Sequence, residues 1–377
     1  MTWTAKPSLD LVRTVTDDTV LKLLMENARI TRADIAARSG ISKTTVSESM
    51  RRLEALGIVT DTGERTSGRG RSGSYYAVAP GQGSAMAVSI TPAAVVAEVV
   101  DPRGTALARS QIALAAGART GEAAAALRTA CKRVAAAADG VVAVAVVSAA
   151  DPVDRHSGRL VQIPDAPFLV GDLDPVSIVG SLASGSVVVD NDVNWAARAE
   201  ALAGAAAGVS DFVYLHLGEG LGCAVVSDGE VRRGHTGLAG EIAHVVVPGA
   251  RRSSIPFTEV FAQLGLRRPG STAVDVGAVV AAIDDQPQLR AALADAVAAV
   301  LLAAVGFLDP QFLVVGGGWG AHPAFVAELA LRSSLWPRPT RIAAAALDAE
   351  PDLAGARAHA VELLRDAIMR TAQTNRR

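Results

Sequence analysis

Between Thr31 and Gly57 the chain spells out two short helices whose ends are all marked. Thr31 and Asp34 stand three residues apart, the hydroxyl-then-acid pattern of a capping box. The helix they open runs through Ile35-Ala36-Ala37-Arg38 and stops at Ser39-Gly40. Ser42 caps a second helix, Lys43 to Leu56, and Gly57 ends it as a left-handed residue would. Two helices joined by so tight a turn read as a helix-turn-helix. Val46, Met50 and Leu53 fall at i, i+4 and i+7 and predict an inward stripe. Lys43, Thr44, Ser47, Glu48 and Arg51 are left facing outward.

The next residues fit a wing. Ile58 to Asp61 and Tyr75 to Val78 read as strands, joined by a loop of glycine and arginine from Gly63 to Gly73. From Arg29 to Tyr76 there are nine Lys and Arg against five Asp and Glu, while the whole chain carries −2. Small hydroxyls and cations at a helix N-terminus suit the major groove, and arginines on a loop tip suit the minor groove. The expected partner is therefore double-stranded operator DNA. Its candidate contacts are Thr31, Arg32, Ser42, Lys43, Thr44, Thr45, Ser47, Arg51, Arg69 and Arg71. The plainer alternative is a three-helix packing module with a solvated basic loop.

With 377 residues, half of them hydrophobic, the chain calls for two or three domains. No apolar run follows an N-terminal basic cluster, and no stretch of about twenty residues is apolar without interruption. Two cysteines, Cys131 and Cys223, fit a reducing compartment rather than a disulfide scaffold. The expectation is a cytoplasmic protein with no membrane partner. Residues 1 to 15 have no clear pattern and read as a loose arm before a helix from Asp17 to Asn27. Ala79-Pro80-Gly81-Gln82-Gly83 reads as a linker. Beyond it, apolar β-rich runs alternate with helical stretches twice over, which suggests two α/β lobes with a cleft between them. The expected units are 1–82 for the winged helix-turn-helix, 83–190 for one lobe and 191–352 for the other. A closing helix, 353–377, is expected to return to the first lobe.

The second half of the chain resembles a known family. Tyr214 to Val226 with its glycines, followed by Gly237-Leu238-Ala239-Gly240-Glu241-Ile242-Ala243-His244, is similar to the signature of the ROK family of bacterial sugar kinases and sugar-responsive repressors. Val189 to Asn194 resembles its sugar motif, and Leu308 to Gly318 its nucleotide-side glycine turn. The resemblance implies an α/β fold: an actin-like (ribonuclease H-like), two-lobed body behind the winged helix. It also implies that Asn191, Asp192, Glu241, His244 and Glu259 hold a sugar, with Asp192 at the position of the kinases' base. Ionised carboxylates accept from two sugar hydroxyls at once, so the residue types suit the task. Read alone, Asp190-Asn191-Asp192 is an N-cap and His244 a structural histidine.

The chain departs from the family's pattern at the places that matter for phosphate. Where the kinases have a glycine-rich Asp-x-Gly-x-Thr loop, this chain has Ser89-Ile90-Thr91-Pro92-Ala93. Pro92 lacks the N–H that a phosphate nest needs. Glu219 stands in the second phosphate turn, and Ser148-Ala149-Ala150-Asp151-Pro152 replaces a Pro-Gly turn. The loop after His244 has none of the three cysteines of the family's zinc site, so no metal and no cofactor are expected. These departures predict a regulator, of the repressor type, that senses a sugar or sugar phosphate without phosphorylating it, as a homodimer or higher oligomer. The alternatives are an active sugar kinase with a DNA-binding domain and a ligand-blind dimeric regulator.

Overall fold

The computed structural model describes residues 9–67, 73–115, 117–138, 140–163, 173–249 and 253–374. In the N-terminal unit α1 is Leu9–Glu26, β1 Ile30–Thr31, α2 Arg32–Ser39, α3 Lys43–Ala55, β2 Val59–Arg65 and β3 Ser74–Val78. The three strands pair in the order β1-β3-β2 beside the helices. Val46, Met50 and Leu53 of α3 are fully buried against Leu21, Leu24 and Met25 of α1. Residues 9 to 15 belong to α1, so the loose arm expected up to residue 15 is corrected there. Thr14, Val15 and Thr16 are β-branched and weak helix formers, which hid the helix from its sequence.

The first lobe follows: β4 Ser84–Ile90, β5 Ala94–Val100, β6 Ala106–Ala113, α4 Thr120–Ala137, β7 Val142–Ala149, α5 Pro175–Gly180, β8 Val187–Asn191 and α6 Asp192–Ala203. The second has β9 Phe212–Leu217, β10 Leu221–Ser227, β11 Glu230–Val231, the hairpin β12 Val246–Pro248 and β13 Ser254–Pro256, then α7 Phe257–Gln263, α8 Val276–Asp285 and α9 Pro287–Leu308. It closes with β14 Phe312–Gly316, α10 Pro323–Ser334, β15 Arg341–Ala344 and α11 Pro351–Thr374. The sheet orders are β6-β5-β4-β7-β8 and β11-β10-β9-β14-β15. In each, three strands form an antiparallel meander and two more add in parallel. The lobes are thus two copies of one topology, and the architecture is α/β and actin-like.

The helix that ends each set crosses to the other set's territory or back between them. Val193, Ala196 and Ala197 of α6 pack on Phe212, Tyr214 and Val314 of the second sheet. From the second set, α11 buries Ala356, Ala360 and Leu364 against Val144 and Val146 of the first sheet. Between the sheets α6 and α11 touch so closely that a Cβ at Gly355 would lie 2.0 Å from the Trp195 carbonyl oxygen. The Trp195 indole N–H donates to Val147 O at 3.1 Å and fixes α6 to the first sheet as well. Among the described residues one helix, α9, is long and apolar enough by composition to cross a membrane, but Leu293, Val297 and Leu301 are core residues of the second lobe.

The winged unit is docked, not dangling. Its core is continuous with the cluster formed by α11 and the first sheet. Gln373 Nε2 near the end of α11 donates to Asp18 Oδ2 of α1 at 3.2 Å, and Gln82 Nε2 ties the linker back to Gly57 O at 2.9 Å.

Candidate functional site

Two surfaces concern function: the outer face of α3 and the cleft between the lobes. On α3, Ser42 is the N-cap and accepts from the Thr45 N–H at 3.2 Å, while the two hydroxyls bond at 2.8 Å. Lys43, Thr44, Glu48 and Arg51 are exposed, and Ser47 donates to Lys43 O. The helix therefore presents its free N-terminal N–H groups, two cations and several hydroxyls on one side. Thr31 and Arg32 are placed differently. Thr31 is buried as the N-cap of α2, and its hydroxyl is exchanged with Asp34. Arg32 lies 4.6 Å over the Tyr76 ring and reaches Glu54 at 3.3 Å. Both hold the fold rather than stand free for DNA. Arg69 and Arg71 lie outside the described residues.

The cleft holds a cavity whose lining includes Asn191, Asp192, Glu241, His244, Thr258 and Thr272. Asn191 stands both at a helix start and in the cavity wall. It caps α6, accepting from the Val193 N–H at 3.0 Å, and still lines the cavity. Asp190 is structural: it is buried and takes hydrogen bonds from Asn194 and Arg233. Asp192 opens the first turn of α6. Burial holds its carboxyl well above the usual range, and the carboxylates of Asp352, Asp151 and Glu241 push the same way, against the Val193 N–H. Glu241 belongs to an exposed stretch of the cavity wall, yet enough of its carboxyl is withdrawn from water to push its pKa up to about 7. His244 is exposed. Glu259 is not among the lining residues; Arg267, eight residues on, takes it at 3.0 Å.

A second cavity adjoins the first through Asp192, His216 and Glu219. Its walls are the equivalent β-turns of the two lobes, Thr91-Pro92-Ala93 and Gly218-Glu219-Gly220, with Asp352 from α11. Sequence reasoning missed Asp352, although it begins α11 as Asp192 begins α6. Its Oδ2 accepts from Ser89 at 2.6 Å and from Ser148 at 2.9 Å. A carboxylate thus sits where the first phosphate turn would need donors. Glu219 in the second turn is paired with Arg268. Burial lowers the His216 pKa, against the pull of the Asp352 carboxylate.

The far side of the cleft is bridged. The Arg155 N–H donates to Thr236 O at 2.9 Å, its guanidinium to Gly234 O at 2.6 Å, and the His156 ring meets His235 O at 3.0 Å. The loop after His244, where a family member would hold zinc, is built from a hairpin instead. Gly249 N donates to Ser253 O, Phe257 N to Val245 O and Thr258 N to Ala243 O. Behind it Phe257, Phe261, Trp319 and Phe325 follow one another at ring distances of 5.3 to 5.7 Å. Among the described residues no group of three His, Cys, Asp or Glu could hold a metal ion, and the loop has no cysteine. The donor set does not fit zinc.

Comparison with known proteins agrees with this geometry. Residues 86–260 match the ROK family and residues 15–60 match winged helix-turn-helix DNA-binding domains. Just under half of the chain thus matches the ROK family. A solved ROK family transcriptional regulator, a homologue of the E. coli MLC protein, superposes with a TM-score of 0.64 over 96% of this chain and 98% of its own, at 17% identity, and so shares the whole two-part fold. A xylose repressor of Caldicellulosiruptor bescii is 33% identical over 95 residues, 25% of this chain and 23% of that protein. A glucokinase of Halalkalibacterium halodurans is 43% identical over 61 residues, 16% of this chain and 18% of that protein. The chain therefore spans about a fifth of the length of these two relatives.

Proposed function

We propose that this protein is a cytoplasmic transcriptional regulator of the ROK family and of the repressor type. Its winged helix reads an inverted-repeat operator as part of a homodimer, and its cleft senses a sugar or sugar derivative that it does not phosphorylate. The observation that carries this reading is the contrast between the two cavities. The sugar side keeps Asn191, Asp192 and Glu241 as polar lining. The phosphate side offers Pro92 without an N–H, Asp352 already taking the serine hydroxyls, and Glu219. A nucleotide phosphate placed there would meet carboxylates rather than donors. The xylose repressor and the MLC homologue support the regulatory half of the reading; no zinc is required in it.

Lobe closure supplies the route to DNA. A ligand that touches both lobes favours the closed state by its differential affinity alone. Two recognition helices must stand about 34 Å apart on an inverted repeat, so a small change in their spacing is felt. The test joins a thermal-shift screen over sugars and sugar phosphates to an operator titration and an ATP-consumption assay. The expected result is a ligand that stabilises the fold, changes operator affinity and leaves ATP untouched. Arg69→Ala with Arg71→Ala should weaken operator binding and flatten its salt dependence. Sugar-dependent ATP consumption abolished by Asp192→Asn would replace the reading with a kinase. A winged helix that binds DNA with no ligand response would replace it with a ligand-blind regulator.

A further inference from the structure

The outer face of α3 carries an acid where a DNA-binding surface would ordinarily exclude one. At about 3.6 residues per turn, Thr44 and Glu48 fall opposite the buried stripe of Val46, Met50 and Leu53, with Lys43, Ser47 and Arg51 to one side. Thr44 and Glu48 are both exposed. Among the described residues Glu48 makes no hydrogen bond and no ion pair. Arg52, one turn on, faces away to Asp17, with contacts of 3.1 Å from Nε and 2.6 Å from Nη2. The helix has no need of the acid either. Glu48 stands beyond the first turn of α3, where the attraction of a carboxylate to a helix N-terminus has faded. Double-stranded DNA carries one negative charge per about 1.7 Å of its axis. A carboxylate in the middle of a face that meets this charge lowers affinity unless a base edge offsets the repulsion.

We propose that Glu48 is a specificity-determining residue, which accepts a hydrogen bond from the exocyclic amino group of one cytosine in each half of the operator. The proposal rests on the operator reading above. An ionised carboxylate offers acceptors and no donor. In the major groove guanine shows two acceptors, and thymine an acceptor and a methyl group, so neither satisfies it. Adenine has a donor, but its N7 acceptor lies beside that donor and opposes the second carboxylate oxygen. Cytosine presents its donor with no acceptor on its own edge. The hydroxyl of Thr44 can donate or accept and carries no such restriction. Lys43 and Arg51 are the cations that hold this face to phosphate, so attraction and choice are divided among side chains of one helix. The Ser42 cap, the buried stripe and the Arg52 contact to Asp17 fix the pose of α3, so Glu48 reaches the same point of every half-site.

The test is selection of duplexes from a random-sequence library by the full chain, as wild type, Glu48→Gln and Glu48→Ala. Both variants change one exposed side chain, and amide protection of α1 to α3 equal to wild type confirms their fold. Wild type should recover a motif with cytosine at one position of each half-site, preferred about tenfold or more over the other bases. Glu48→Gln should move that position to adenine, whose donor and acceptor an amide matches. Glu48→Ala should lose the preference there alone and bind unselected duplex more tightly, because one like charge is gone. In the selected duplex, a pyrimidinone that lacks the amino group should replace the cytosine at a cost of about tenfold for wild type and no more than about twofold for Glu48→Ala. A carboxylate acting by general repulsion alone would not separate the two proteins in this way. An unchanged motif in both variants, with every duplex bound more tightly, would overturn the inference and leave the operator reading standing. Recovery of no duplex by wild type would overturn the operator reading and this inference with it.

Discussion

Two neighbouring arginines on α3 should behave as opposites. Arg51 is exposed, while Arg52 turns inward to Asp17 on α1, with contacts of 3.1 Å from Nε and 2.6 Å from Nη2. The Asp17 side chain is 1% exposed and that of Arg52 33%. Removing one partner of a buried pair costs about 3–5 kcal/mol, because the other charge stays buried. Water reaches the guanidinium side here, so Arg52→Ala should cost about 2–3 kcal/mol, the lower part of that scale. At about 1.4 kcal/mol per decade this is a roughly 30- to 150-fold loss of amide protection across α1 to α3, read by hydrogen exchange. Arg51→Ala should stay within about 0.5 kcal/mol of wild type and should instead lower the salt slope of DNA binding by about 0.9. Asp17→Asn combined with Arg52→Ala should regain part of the loss, since no charge is then buried. A protection loss under about fivefold in Arg52→Ala, or a larger loss in Arg51→Ala, would refute the reasoning.

Two further outcomes follow from the cleft. Glu241 has a folded pKa of about 7 against 4.5 for the free group. The folded chain therefore holds the extra proton between those values, and this group's contribution to stability falls as pH rises through them. A sugar that needs the ionised acceptor is helped by the same rise. From pH 6 to 8 the ionised fraction grows from roughly a tenth to nine-tenths, so affinity should rise about tenfold by calorimetry and stay flat in Glu241→Gln. At Gly237 the backbone has φ +105°, and a Cβ would lie 2.3 Å from the Val153 carbonyl oxygen of the other lobe. Gly237→Ala should pry the bridge apart and weaken the same ligand at least about tenfold. Unchanged binding would mean that closure does not pass through this contact.

What the sequence made legible was whatever local chemistry decides. Thr31 and Ser42 are the caps of their helices, and the stripe of Val46, Met50 and Leu53 is fully buried. The continuous apolar run at Val141–Val147 falls in β7, Val142–Ala149, a central strand between β4 and β8. Elements defined only by distant partners were not legible. Strand β1 is two residues long and exists because Ile30 and Thr31 pair with Tyr76 and Tyr75. Side-chain fates that depend on a tertiary neighbour were also hidden. Sequence points Arg32 to DNA and Glu259 to sugar, whereas Arg32 lies on Tyr76 and Glu259 pairs with Arg267. Asp352 reads locally as a first-turn acid. Its meaning comes from Ser89 and Ser148, more than two hundred residues earlier in the chain, so a search for repeated strand-helix junctions would have been needed to find it.

The C-terminal helix makes mechanical sense as a lever. Its 24 residues, Pro351–Thr374, make a rod of about 36 Å at 1.5 Å per residue. One end carries Asp352 at the floor of the cleft, and the other carries Gln373 against Asp18 of the winged unit. An α-helix resists bending far more than the turns at its ends do, so displacement applied at one end arrives at the other as tilt. A pivot near Gly355, where the backbone touches Trp195, gives the long arm to the DNA side. A five-degree tilt over that arm, about 27 Å from Gly355 to Gln373, moves its tip by about 2.4 Å, roughly two-thirds of the rise of one base pair. A small displacement at the cleft end of α11 can thus arrive enlarged at the winged unit, because the gain lies in the length of the rod.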